Sequence, residues 1–317
     1  MHQEANTIKR FGLAVSDQIL RFYFRFLFLA YLLFSTHFSF SQLPDTDIWL
    51  FDMKEDSGTF TFSNPINITN RKGYDNQPAF SPDGKYILYT SIREDKQADI
   101  YKYDIKSKQT TQFTKTLESE YSPTFMPGGK FISTVRVEKD SAQRLWKFPV
   151  AGGEPSLIMD KVDSIGYHCW TSDTTLALFI LTKPFTLQMV NIKEQKAKVI
   201  ATDIGRCLVT ASNKRDFFFT EVIDSSLLIH KANADSLFDS RLPVLKGSEF
   251  LVATNDFLNR EVIFMGRGGI LFSLIKTGEK SLWKEVTDFS FLGINKIGRL
   301  TISTDGKKIA IVNTTSQ

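Results

Sequence analysis

Apolar and polar residues alternate along Tyr86-Ile87-Leu88-Tyr89-Thr90 and again along Asp99-Ile100-Tyr101-Lys102-Tyr103-Asp104. A period of two marks half-buried strands. Just upstream, the apolar run Gln77-Pro78-Ala79-Phe80 ends in Ser81-Pro82-Asp83-Gly84-Lys85. Pro and Asp-Gly suit a tight reversal there, because Gly accepts a positive φ that a β-branched residue cannot. Thr111-Gln112-Phe113-Thr114 supplies a short fourth run. The four runs predict one antiparallel meander.

The same order recurs. Tyr121-Ser122-Pro123-Thr124-Phe125-Met126-Pro127-Gly128-Gly129-Lys130 leads into Phe131 to Val135, and Arg144-Leu145-Trp146-Lys147-Phe148 is its third strand. A third copy runs from Tyr167 to Thr171, turns at Ser172-Asp173 and continues from Leu176 to Ile180. A fourth turns at Ser212-Asn213 before Phe217-Phe218-Phe219, and a degenerate fifth at Asn255-Asp256 before Glu261 to Met265. The last, Arg299 to Val312, carries Thr304-Asp305-Gly306-Lys307. The turns recur about every 44 residues, the length of one small β unit stacked repeatedly.

The last copy holds two strands only. Its missing partners are expected at the other end of the chain, in Asp47-Ile48-Trp49-Leu50-Phe51-Asp52 and Ile66-Asn67-Ile68-Thr69. Six units result, the last zipped from both ends of the chain. At these residues the sequence resembles the TolB-type, WD40-like propeller repeat: an apolar run, Ser-Pro-Asp-Gly-Lys, a strand and Asp-Ile-Tyr. The resemblance covers nearly all of residues 46–317. It implies an all-β, six-bladed propeller of four-stranded antiparallel blades, closed by amino- and carboxy-terminal strands. A seven-bladed ring or a β-sandwich fits the period and the split last unit less well. The resemblance also implies a protein of a Gram-negative envelope that docks partners through the propeller face. TolB carries a further amino-terminal domain, for which this chain offers no room, so the likeness is to the repeat.

Residues 22–40 include the apolar run Phe26 to Phe34, preceded by Lys9, Arg10, Arg21 and Arg25 and followed by Ser39, Ser41 and Gln42. A basic region, a short apolar core and small residues read as a secretory signal over residues 1–41, or as an uncleaved membrane tether through 22–40. A single propeller domain over 42–317 and a periplasmic or secreted location follow. The whole chain carries 39 basic and 35 acidic residues, a net of +4. Residues 1–41 hold four of those basic and two of the acidic groups, so the remainder has no basic stripe for nucleic acid.

Candidate chemistry is sparse. Beyond residue 41 the histidines are His168 and His230, too few for a three-His metal centre, and no Cys-x-x-Cys or Gly-x-Ser-x-Gly occurs. Neither a metal nor a cofactor is expected. Cys169 and Cys207 begin strands of adjacent units, where export permits a disulfide. His168 with Cys207 is conceivable as a base and nucleophile. Asp83 and Asp305 are expected to bond their own turns.

Binding has firmer grounds. In a propeller the first strand of each blade lines a central channel. Its start places Asp75, Asn76, Gln77, Glu120, Tyr121, Tyr167, His168, Arg206, Glu249 and Arg299 on one rim. The loops Ser91 to Ala98, Glu138 to Gln143, Thr182 to Pro184, Glu221 to Ser225 and Gly266 to Gly269 open on the same face. The expected function is an exported, non-enzymatic module that binds an envelope protein or a small polar ligand. The alternative is a lyase or hydrolase acting on carbohydrate or peptide, with Glu120, Tyr121 or His168 as acid and base.

Overall fold

A computed structural model of the chain describes residues 43–315 apart from 225, 235–236, 257 and 276–281. The expected signal or tether lies outside the described residues. Every described element is a strand except one turn of 3-10 helix at Ser290–Leu292. First come β1 (Thr46–Asp56) and β2 (Thr59–Asn67), then β3 (Tyr74–Phe80), β4 (Tyr86–Ile92), β5 (Ala98–Asp104) and β6 (Gln109–Gln112). The second repeat gives β7 (Ser119–Phe125), β8 (Phe131–Val137), β9 (Gln143–Pro149) and the short β10 (Ser156–Leu157). The third gives β11 (Ile165–Trp170), β12 (Thr175–Ile180), β13 (Thr186–Asn191) and β14 (Lys196–Thr202). Next are β15 (Ile204–Thr210), β16 (Phe217–Ile223), β17 (Ser226–Ala232) and β18 (Leu237–Pro243). The chain continues through β19 (Leu251–Asn255), β20 (Glu261–Arg267), β21 (Ile270–Ile275) and β22 (Trp283–Asp288), and ends with β23 (Ile297–Ile302) and β24 (Lys308–Thr314).

Strands β7–β10, β11–β14, β15–β18 and β19–β22 each form a four-stranded antiparallel sheet, paired in chain order. The other eight form one sheet, in which β23, β24 and β1 run side by side and β2 pairs with β1. A single parallel contact, Thr46 beside Tyr74, joins these to β3–β6. The amino-terminal strand therefore lies against the carboxy-terminal one. Trp49 faces Ile311, Phe51 faces Ile309, and Asp52 faces Lys308, whose ammonium it ion-pairs.

The reversals follow from their residues. Ser81 Oγ donates to Asp83 Oδ1 (2.7 Å) and accepts from the Lys85 and Tyr86 amides (both 3.1 Å). Ser303 and Asp305 repeat this in the last copy, at 2.6 Å. Gly84 and Gly306 both adopt φ near 69°, a left-handed conformation in which a side chain is strained.

The buried apolar residues fall in separate clusters between neighbouring sheets. Leu88 and Ile100 pack on Ile132 and Phe148; Val135 and Leu145 pack on Ile165 and Leu178. Phe179 and Leu187 pack on Ile204 and Phe217; Phe218 and Ile229 pack on Leu251 and Ile263. Phe264 and Leu271 meet Phe51, Phe60 and Ile309, while Ile48 and Val312 meet Ile87 and Tyr89. Each sheet is thus covered on both faces, which is why β4 and β8 read as almost unbroken apolar or small runs. Along their inner edges β3 lies against β7, β7 against β11, β11 against β15, β15 against β19, β19 against β23 and β23 against β3.

Two expected elements shift. The partner of β1 is not confined to Ile66–Thr69 but begins at Thr59, after a hairpin turn with positive φ at Ser57 and Gly58. Asn64 and Pro65 obscure this strand in the sequence, yet an outermost strand tolerates Pro because one side needs no donor. Likewise β6 starts at Gln109, ahead of the expected Thr111.

Candidate binding site at the channel mouth

Where β3 and β7 begin, each contains a bulge. The register slips between Asn76 and Ala79 in one and between Tyr121 and Thr124 in the other. Gln77 (φ 58°) and Ser122 (φ 55°) occupy the left-handed conformation at those points. The bulge turns Gln77 sideways, so that its Oε1 accepts from Thr90 Oγ1 and from the Ser122 amide, both at 2.8 Å. One first strand is thereby tied to the next. Strands β3, β7, β11, β15, β19 and β23 together line a channel of about 750 Å³. Gln77, Tyr167, His168, Arg299 and Phe250 are among its lining residues.

The mouth gathers two cations and several rings. Arg206 forks onto Glu249 with Nε and Nη2 each 2.6 Å from a carboxylate oxygen, which raises its pKa above the ordinary arginine value. Arg299 is held differently. Its guanidinium lies 3.7 Å from the Phe250 ring centre and 4.8 Å from that of Tyr167. Among the described residues no carboxylate comes within ion-pair distance of it. Tyr74 shares this space. Burial pushes its phenol up to about 12; Arg299 and Arg206 pull it back, while Tyr167 and Tyr121 add to the rise. Tyr74 therefore stays protonated at neutral pH and can donate a hydrogen bond, as can Tyr121, also raised by burial.

The structure brings Tyr121, Tyr167, Arg206, Glu249 and Arg299 together, places Gln77 and His168 along the channel wall, and turns Asp75, Asn76 and Glu120 into local contacts. Asp75 is fully buried and pairs with Arg71 at 2.8 Å. Asn76 Oδ1 accepts from the Gln77 amide at 2.8 Å. Glu120 is also fully buried, bonded by Thr116, with Arg136 Nε 3.6 Å away, and is not among the channel-lining residues. Burial raises its carboxyl to about 7, against the opposing pull of Thr116, Thr114 and Arg136. His168 Nε2 lies 2.7 Å from Ser133 Oγ, which also accepts from the Trp170 indole at 2.9 Å. The same hydroxyl donates to the Thr124 carbonyl at 3.3 Å. Burial alone lowers His168 to about 3, so the ring is neutral.

The pairing of His168 with Cys207 gains no support. Both cysteines are free and buried, and burial pushes Cys169 up to about 12 and Cys207 to about 11, leaving them as thiols. Tyr74 and Phe250 are the mouth residues that the sequence pattern did not single out. Tyr74 lies two positions before Asn76, on the same side of β3, and was recoverable by extending the alternation one step toward the amino end. Phe250 precedes the degenerate β19, whose weak repeat hides its equivalence.

No protein-family model and no curated protein matches this chain. Solved structures do. A protein assigned as TolB from Agrobacterium tumefaciens superposes with a TM-score of 0.64 at 14% identity, covering 87% of this chain and 100% of that one. TolB from Acinetobacter baumannii gives 0.54 at 11% identity over 86% of this chain; the match spans 65% of its length. A protein assigned as a gluconolactonase gives 0.54 at 10% identity, over 83% and 92%. The chain therefore has a TolB-like β-propeller fold. Identities this low speak to fold alone.

Proposed function

We propose that this chain is an exported six-bladed β-propeller that binds a partner protein or polar ligand at its channel mouth. The ring order of the inner strands and the pairing of β1 with β24 support six blades, the last built from β23, β24, β1 and β2. The basic and apolar pattern of residues 1–41 supports export to the cell envelope, with residues 22–40 as a tether if uncleaved.

One observation carries the binding reading. Arg299 is a cation fixed between two rings at the entrance to a channel, with no carboxylate among the described residues within ion-pair distance, whereas neighbouring Arg206 has Glu249. A fixed, half-desolvated guanidinium beside neutral phenols is a ready partner for an anionic group. The enzyme reading has less support, because two of its three acid–base candidates, Glu120 and His168, are buried and committed to contacts with Thr116 and Ser133.

Cross-linked capture from Gram-negative envelope extracts, run in parallel with the wild type and Arg299→Gln, tests this. The expected result is a partner recovered by the wild type and lost from the variant. Equal recovery by both, or turnover of oligosaccharides or peptides by the wild type, would overturn it.

A further inference from the structure

The surroundings of Arg299 are asymmetric. On one side stands the Arg206–Glu249 pair; on the other a line of rings leads outward over the third sheet. Tyr167 meets Phe179 edge-on with centroids 5.5 Å apart, and Phe179 meets Phe185 at 5.0 Å. Phe185 is 41% exposed and Leu181, in the same β12–β13 loop, is 40% exposed. Glycine makes the line possible. A Cβ on Gly166 would sit 2.8 Å from the Phe179 ring, so a side chain there would push that ring off Tyr167. A cation with no carboxylate within ion-pair distance among the described residues and an exposed apolar pair are thus joined through contiguous rings, of which the middle one, Phe179, is fully buried.

From this juxtaposition we infer that the mouth captures the free C-terminal carboxylate of a partner polypeptide whose last side chain is apolar. The inference rests on the binding reading above and names its ligand. Each part of a chain end has a counterpart. The carboxylate meets Arg299, which offers a planar pair of donors. The last side chain covers Phe185 and Leu181. The terminal amides meet the phenols of Tyr74 and Tyr121 and the carboxylate of Glu249.

Two other anion classes fit worse. A phosphate brings more charge, which Glu249 opposes from the next position around the mouth. An alkyl chain would bury the phenols and Glu249 without replacing their bonds to water, whereas a peptide can bond them.

The probe is a library of hexapeptides tethered by their amino ends, randomised at the last three positions, with either free carboxylates or C-terminal amides. The expected result is selection of free-acid peptides ending in Leu, Ile, Val or Phe, bound about tenfold or more tightly than their amides. Arg299→Gln should abolish that acid-over-amide preference. Phe185→Ser should abolish the preference for an apolar last residue while keeping the preference for acid. Thermal melts of both variants show whether the fold is retained, and Arg299→Lys, which keeps the charge, should restore part of the acid preference if Arg299→Gln melts early.

Equal binding of acids and amides, no enrichment at the last position, or displacement of bound peptide by decanoate at lower concentration than by the free-acid peptide would each overturn the inference. If envelope capture still depends on Arg299 while the library shows no selection, the mouth binds a partner but not through a chain end. Loss of both would remove the binding reading itself.

Discussion

The buried ionisable groups separate what this protein can titrate from what it can bind. Glu120 is held near 7 by burial, with Thr116, Thr114 and Arg136 working against the rise and Asp99 adding to it. The folded chain keeps this proton where the unfolded one, near 4.5, has released it, so the stabilisation present at low pH is lost between about 4.5 and 7. His168 runs the other way. It is neutral in the fold and protonated below 6.5 when unfolded, so its contribution is lost as pH falls from 6.5 toward about 3. Glu120→Gln removes only the first effect. Its melting temperature should match or trail the wild type at pH 4.5 and exceed it at pH 8, by an amount equivalent to roughly 3 kcal/mol at about 1.4 kcal/mol per pKa unit. A difference that stays constant across that range would contradict the burial argument. The sequence located Glu120 and His168 but not their burial. A bulge changes which side chains reach the channel, and a bulge held by Gln77 and Ser122 in the left-handed conformation leaves no mark that residue type alone reveals.

At the scale of strands, legibility follows position within each sheet. The first three strands of a repeat are pinned by alternation and by the Ser-Pro-Asp-Gly type of turn, and the structure puts β4, β5, β8, β9 and β12 where the pattern predicts them. Outermost strands are half-exposed and short, so they carry less apolar signal: β6 and β14 are mostly exposed, and β10 is two residues long. The amino half of β2 was missed for the same reason, although Phe60 anchors it. That ring is buried and stands edge-on to Phe264 at 4.9 Å, joining the first hairpin to the fifth repeat. Phe60→Ala should therefore destabilise the protein by about 3 kcal/mol, a cost normally reserved for core residues. Chemical denaturation measures it; a loss below about 0.5 kcal/mol, the range of surface substitutions, would show that this hairpin is not part of the ring.

For the molecule as a whole, the proposed binding site depends on closure. Arg206, Glu249, Phe250, Tyr167, Tyr74 and Arg299 come from five different repeats, and Tyr74 meets Arg299 only if the first repeat returns to the last. That return is made by β1, which adds its Thr46–Asp52 segment to β24 and contacts β3 at Tyr74. Closure also spares the molecule long unpaired inner edges, the usual hazard of stacked sheets. The period and the incomplete last copy made this legible in the sequence, whereas the low identity to solved propellers, 14% in the Agrobacterium tumefaciens case, leaves the partner to be found from the mouth's own chemistry. The most direct measurement is an engineered cross-link between Asp52→Cys and Lys308→Cys, residues that face each other across β1 and β24. Mild oxidation of the folded double variant should give complete intramolecular disulfide formation, seen as the loss of two free thiols with no dimer and a raised melting temperature. Two engineered thiols that stay titratable, or that form only intermolecular bonds, would show that the chain ends do not meet and that the mouth described above is not assembled.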